Sequence, residues 1–332
     1  MSQILSARYL VVALLLALSL FAALRALRPA GPGRIAPGAA FLHRNGWPIG
    51  LFLVGAVLFW AVVLILAPQI FMLDLSFRFN LPRAQIGGPQ DVATLRNYGF
   101  GGGMSMLHLK ALGTTLAGSA IVTVLCLLLC YPVAFHLAQY ARERGLQLAL
   151  ALLLVPYWVN ELLRAFAFRI IFTEQGLLNR LLLDWGLIGA PLDFFNAEVP
   201  LYAGLVYAYL LFMFFPLYNA LRGLPHEQIE AARDLGAPWW HIHAFLVLPG
   251  IRTGISAGCT MVFMICAGSL AIPQVLGGTR TLWFAPIIYD RFFESFDWPQ
   301  GSAYAVSLLV SCTAVVMVLQ RLFGVGMREV SK

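Results

Sequence analysis

Seven long apolar runs, separated by short segments that hold most of the charge, leave this chain few ways to fold. They lie at about 9–27, 50–72, 111–138, 147–172, 200–221, 253–275 and 302–323. A helix of about 20 apolar residues crosses a hydrocarbon layer about 30 Å thick, and only helices and closed barrels pair every backbone group there. Composition agrees, since the 332 residues are 60% hydrophobic and 11% charged, more apolar surface than a water-soluble fold can hide. The expected fold is all-α, a polytopic transmembrane helix bundle with the lipid bilayer as its solvent.

The net charge of +7 does not point to nucleic acid, because the 22 Lys and Arg are scattered between apolar runs with no basic stripe. Their placement reports orientation instead. Only Arg8 precedes the first run, while Arg25, Arg28, Arg34 and Arg44 follow it, which puts the amino terminus outside, on the periplasmic side. A cleaved signal peptide, suggested by the run's position and small-residue end, would need the opposite orientation. Threading seven spans from there places 28–49, 139–146, 222–252 and the carboxy-terminal tail in the cytoplasm. Twelve Lys and Arg then fall on the cytoplasmic side and eight outside, with Arg164 and Arg169 inside the fourth run.

Several chemistries are excluded. Cys126, Cys130, Cys259, Cys266 and Cys312 all sit in apolar runs without CxxC spacing, so they read as small packed side chains, and no metal or cofactor is expected. Gly87-Gly88-Pro89 and the glycines of 99–103 are loop chemistry, since no Lys-Ser/Thr follows at the spacing of a phosphate loop. No HExxH, GxSxG or paired intramembrane aspartates occur, and His241 and His243 read as surface or interface histidines, so the chain is not expected to be an enzyme.

The segment 222–252 reads RGLPHEQIEAARDLGAPWWHIHAFLVLPGIR. Pro225 leads in, Glu227 and Glu230 come early and Arg233 late, the order that suits a helix dipole. Gly236 can close that helix in the left-handed conformation, and Pro238 can open a second one that ends at Pro249. Trp239, Trp240, Ile242, Phe245 and Leu246 offer more apolar bulk than a free loop shows to water, so a partner surface is expected. Gly250, Gly254 and Gly258 recur every four residues beyond it, the spacing that lets helices approach closely.

Glu230-Ala231-Ala232, three residues, Gly236, nine residues, then Leu246-x-Leu248-Pro249 resembles the EAA signature of binding-protein-dependent ABC-importer permeases, with Leu246 where isoleucine is more usual. In that family the loop is a coupling helix seated in a cleft of the ATP-binding subunit. The resemblance implies that Glu230, Ala231, Ala232, Gly236, Pro238, Trp239, Leu246, Leu248 and Pro249 contact that subunit. It further implies a second permease subunit, identical or homologous, and an extracytoplasmic solute-binding protein. Pro156-Tyr157-Trp158, Asn160, Arg164, Phe168 and Gly176-x-x-Asn179, with Ala271-Ile272-Pro273-Gln274-Val275-Leu276-Gly277-Gly278 and Asp297-Trp298-Pro299-Gln300-Gly301, are similar to the spermidine/putrescine-type permeases. The similarity runs over about 50–325, which implies a six-helix type I importer core preceded by an added helix and linker at 1–49 and followed by a tail at 326–332. A polyamine is the implied solute, with an opine or amino acid as alternatives; a stand-alone secondary transporter or channel is the rival class and gives no role to an EAA loop.

Charges inside a membrane helix are expensive and face a cavity or a partner. Glu161 and Arg164 fall on one helical face, where they would form an internal ion pair. Alternatively Glu161 lines the solute path with Tyr157, Trp158, Asn160 and Arg164, the aromatic faces receiving an ammonium group. The outer acids Glu174, Asp184, Asp193, Glu198, Asp290, Glu294 and Asp297 would either receive a cation or simply solvate their loops.

Overall fold

The computed structural model describes residues 47–82, 85, 88, 92–99, 104–278 and 281–324. The first apolar run, the flanking Arg8, Arg25, Arg28, Arg34 and Arg44, and the glycines of 101–103 lie outside the described residues. Among the described residues every regular element is helical. They form two compact units, one of those up to 99 with 297–306, the other of 104–296 with 307–324.

In the first unit, Trp47–Trp60, a π stretch Ala61–Leu66 and Ala67–Ser76 run on as one rod, α1. The widened turn stands just before Pro68, whose missing amide and bulky ring disturb the hydrogen bond one turn back. The segment that follows folds back on the rod's end. Asn97 Nδ2 donates to the carbonyls of Ser76 and Arg78 at 2.9 and 2.8 Å, and the Tyr98 hydroxyl donates to Ser76 Oγ at 2.7 Å.

The second unit holds α2 (Met106–Gln139), α3 (Glu143–Leu154), α4 (Glu161–Phe172), α5 (Leu177–Asp184) and α6 (Val199–Arg222). Then come α7 (His226–Asp234), α8 (Trp239–His241, a π stretch Ile242–Val247, and Leu248–Gly250), α9 (Arg252–Ala267), α10 (Ala271–Leu276) and α11 (Phe284–Phe293). The last helix, α12, is Trp298–Leu322. Its core is the mutual packing of α2, α6 and α9. Val122, Cys126, Cys130 and Ala134 recur every fourth residue along α2 and are buried against Leu201, Leu205, Met213, Leu217 and Leu221 of α6. All five cysteines are buried free thiols, and Cys130 Sγ donates to the Leu210 carbonyl at 3.3 Å.

The glycine series works as its spacing suggests. A Cβ on Gly254 would stand 2.3 Å from Ala220 Cβ, and one on Gly258 would stand 2.8 Å from Met213 Sδ, so α6 and α9 meet closer than any side chain allows. Gly250 faces Leu224 in the same way at 2.9 Å.

Four helices, Gly55–Ser76, α2, α6 and α12, are long and apolar enough to cross a membrane alone. Two further pairs meet that test only jointly, Arg144–Trp158 with Glu161–Asp184 bent by 89°, and Trp239–Gly250 with α9 bent by 72°. Two expected spans are therefore corrected. The run 147–172 is not one helix but breaks after the 3-10 turn Val155–Trp158, because Pro156 cannot donate and Val159 and Asn160 turn extended. The run 253–275 ends at Ala267, at 1.5 Å per residue a helix about 24 Å long, since Gly268 stops it before the separate short α10. Conversely α2, at 34 residues or about 51 Å, overshoots its expected 111–138 at the amino-terminal end.

Candidate coupling and path sites

The 222–252 loop folds as its residues dictate. Pro225 precedes α7, Glu227 lies in its first turn and Arg233 in its last. Gly236 takes φ +76°, and two bonds close the helix around it, Gly236 N to Arg233 O at 2.8 Å and Ala237 N to Ala232 O at 3.1 Å. That pair is a Schellman closure, which only a residue at ease in the left-handed region completes without strain. Pro238 caps α8, which ends at Gly250, one residue beyond the expected Pro249. Its π stretch again stands just before a proline, here Pro249.

This corner sorts the apolar side chains into two sets. Ile229, Ile242 and Val247 are buried and join the core, with Ala232, Ala237 and Leu246 packed partly against it. Leu235, Trp239, Trp240 and Phe245 stand outward, Leu235 at 88% and Phe245 at 73% exposure. Glu230, Ala231, Leu248 and Pro249 are exposed with them, and the Glu230 carboxylate lies 3.4 Å from His226 Nε2. Ile242 is buried and Leu246 half-buried on the side that α8 turns inward, while Leu235 stands exposed with the outward set.

His243 is not a surface histidine. It is buried, its ring 4.2 Å from Trp239, 4.5 Å from Phe135 and 5.7 Å from Tyr131 between centroids, and its Nδ1 is hydrogen-bonded to the Tyr131 hydroxyl. Burial, with the Arg233 guanidinium nearby, holds its imidazole below the usual histidine range. Tyr131, Phe135 and Gln139 sit at i, i+4 and i+8 of α2 and so share one face. Gln139 Nε2 donates to Leu221 O at 2.7 Å and Leu224 O at 3.3 Å, while its Oε1 lies 3.0 Å from His226 Nδ1. Arg233 donates to the Tyr140 hydroxyl and stacks on its ring. Sequence reading missed this seat, although a polar and aromatic stripe at the end of an otherwise aliphatic helix was its signal.

The second group of candidates gathers at the break between α3 and α4. The Asn160 side chain accepts from Leu162 N at 2.8 Å and so caps α4. Trp158 is 89% exposed and Glu161 is exposed beside it. Among the described residues no ion pair joins Glu161 to Arg164, which corrects that expectation. The Arg164 guanidinium instead lies over the rings of Tyr157 and Tyr207, 4.8 and 5.5 Å from their centroids, with Nε and Nη1 buried and without a hydrogen bond. The Tyr157 hydroxyl donates to Tyr207 O and accepts from Leu211 N at 3.3 Å, two backbone groups one turn apart on α6. Glu161, Arg164, Phe168, Gly204, Tyr207 and Ile272 line a shallow cavity there.

The other motif residues hold this region in shape. Buried Asn179 donates to Thr173 O and Leu192 O at 3.2 and 3.0 Å and accepts from Leu192 N at 2.9 Å, pinning the outer segment. Arg169 donates to Val275 O near the carboxyl end of α10. Of the outer acids, Asp193 accepts from the amides of Phe195 and Asn196, and Glu198 from Thr281 Oγ1 at 3.0 Å.

No family model matches the chain. It is 32% identical over 268 residues to the spermidine/putrescine transport system permease protein PotB of Haemophilus influenzae, covering 81% of this chain and 92% of that protein. PotB of Escherichia coli is also 32% identical, over 262 residues, 79% of this chain and 93% of its own length. A crystal structure of a bacterial ABC transporter involved in the import of the acidic polysaccharide alginate superposes with a TM-score of 0.65 at 15% identity, over 88% of this chain and 99% of the other, a likeness of fold. The Gly236 corner and its outward tryptophans thus sit in a chain that belongs to the family of spermidine/putrescine-type permease subunits of ABC importers.

Proposed function

We propose that the chain carries a polyamine such as spermidine or putrescine across the inner membrane, and that α7 and α8 form the surface on which a separate ATP-binding subunit docks. The observation that carries the second part is the sorting at Gly236, where one side of the loop is built into the core while Leu235, Trp239, Trp240 and Phe245 stand exposed on the other. Four large apolar side chains on one short loop need a partner surface. On this reading 222–252 is cytoplasmic, the amino terminus periplasmic and the carboxyl terminus cytoplasmic, as the Lys and Arg distribution favours. ATP hydrolysis belongs to the separate subunit, a second permease subunit completes the path, and an extracytoplasmic binding protein delivers the solute. Residues 50–325 make up the permease domain, and Tyr157, Trp158, Asn160, Glu161 and Arg164 line its path.

Co-expression with the ATP-binding and second permease subunits tests the docking surface. Trp240→Glu with Phe245→Glu is expected to abolish co-purification of the ATP-binding subunit while the two permeases remain paired; retention of that subunit would overturn the assignment. Competition of labelled spermidine uptake by unlabelled polyamines, opines and amino acids tests the solute, and competition by an amino acid but not a polyamine would overturn the polyamine reading.

A further inference from the structure

We propose that the loop-side end of α2 is a lever arm of the transport cycle, with Tyr131, Gln139 and Tyr140 as the positioning residues that make it move with the coupling loop. This rests on the reading of α7 and α8 as that loop.

Three polar ties join them. Tyr131 bonds His243 of α8, Gln139 bonds His226 at the start of α7, and Tyr140 takes the Arg233 guanidinium at its end. They lie along both short helices, so neither can shift without pulling on α2. Gln139 also binds two carbonyls where α6 ends, Leu221 O, which accepts from Leu224 N as well, and Leu224 O just beyond the helix. A displacement of α8 therefore reaches α2 directly, and does not pass only along the chain into α9. The glycine contacts complete the device, since α6 and α9 touch almost backbone to backbone and transmit motion as one body.

Packing alone would explain Phe135 and Trp239 around His243. It does not explain why Tyr131, Gln139 and Tyr140 each turn a polar atom to the loop, where an aliphatic side chain would pack equally well. Ties of this kind fix direction as well as distance, which is what a lever needs.

The test uses the complete importer in proteoliposomes with its binding protein, reading ATP hydrolysed, solute moved and subunit stoichiometry together. Tyr131→Phe, Gln139→Leu and Tyr140→Phe each remove a tie and keep the bulk. The expected result is a full complement of ATP-binding subunit, hydrolysis near the unmodified rate, and solute moved per ATP lowered by about fivefold, the factor that one net hydrogen bond carries. His243→Gln, which keeps a polar partner for Tyr131, is expected to restore most of the ratio that His243→Leu loses. An unchanged ratio in all three variants overturns the proposal, and so does loss of the ATP-binding subunit in parallel with transport, which would make the ties merely structural. Failure of the docking assignment itself shows separately, as retention of the ATP-binding subunit by Trp240→Glu with Phe245→Glu.

Discussion

Gly236 and Gly254 are both glycines the fold cannot replace, for opposite reasons. Around Gly236 there is open space, so a side chain would meet nothing, but φ of +76° is left-handed. Gly236→Ala is expected to cost about 1–2 kcal/mol of conformational strain, and Gly236→Asn less, because asparagine tolerates that region. At Gly254 the conformation is ordinary and the space is missing. Gly254→Ala forces its methyl to within 2.3 Å of Ala220 Cβ and 2.8 Å of Pro216 O, an overpacking expected to cost about 1–3 kcal/mol. Gly113, in α2 with nothing within 4 Å, is the control: Gly113→Ala is expected to be neutral or to stabilise by up to about 1 kcal/mol. Thermal unfolding of the detergent-solubilised chain ranks the three. Equal effects at all of them would remove the distinction between strain and crowding.

At the scale of elements, the 222–252 loop is the most legible part of the chain, and the reason is local. Glycine, proline and the order of charges determine where α7 stops and α8 starts through interactions within a few residues, so the sequence alone places the corner. The spans at 147–172 and 253–275 were read as straight because apolar runs report solvent, whereas the breaks at Val159 and Gly268 depend on single backbone groups that hydropathy does not see. The Glu161–Arg164 pair failed for a related reason. Helical spacing brought the charges to one face, but the aromatic rings of Tyr157 and Tyr207, one of them 43 residues away from Arg164, took the guanidinium first. The burial of His243 is not legible in the loop's own residues, because it depends on which side of α8 the end of α2 covers.

That buried histidine gives the loop a pH dependence with a definite sign. Its pKa is lowered in the fold, chiefly by burial, so the folded state binds fewer protons than the unfolded one. The stability it contributes is complete above the ordinary histidine pKa of about 6.5 and is lost as pH falls from there through the lowered value. The melting temperature of the solubilised chain is expected to drop as pH falls below about 6.5, and to drop less in His243→Gln. An identical slope in the two proteins would mean that other groups carry the acid sensitivity.

At the scale of the whole molecule, burial is distributed as a translocating subunit requires. In α6 more than half of the most apolar stretch is buried, so within the second unit this helix is a core axis. The same arrangement makes orientation measurable, because all five native cysteines are buried and leave little background for thiol labelling. Leu187, 65% exposed beyond α5, and Leu235, 88% exposed at the glycine corner, are accessible positions for a single cysteine. If the Lys and Arg bias has set the topology, Leu187→Cys in intact cells is expected to react with a membrane-impermeant maleimide, and Leu235→Cys only after the membrane is opened. Binding of the ATP-binding subunit is then expected to protect Leu235→Cys and leave Leu187→Cys reactive. The reverse pattern of labelling would turn the molecule over in the membrane and put the corner on the wrong side for an ATP-driven partner.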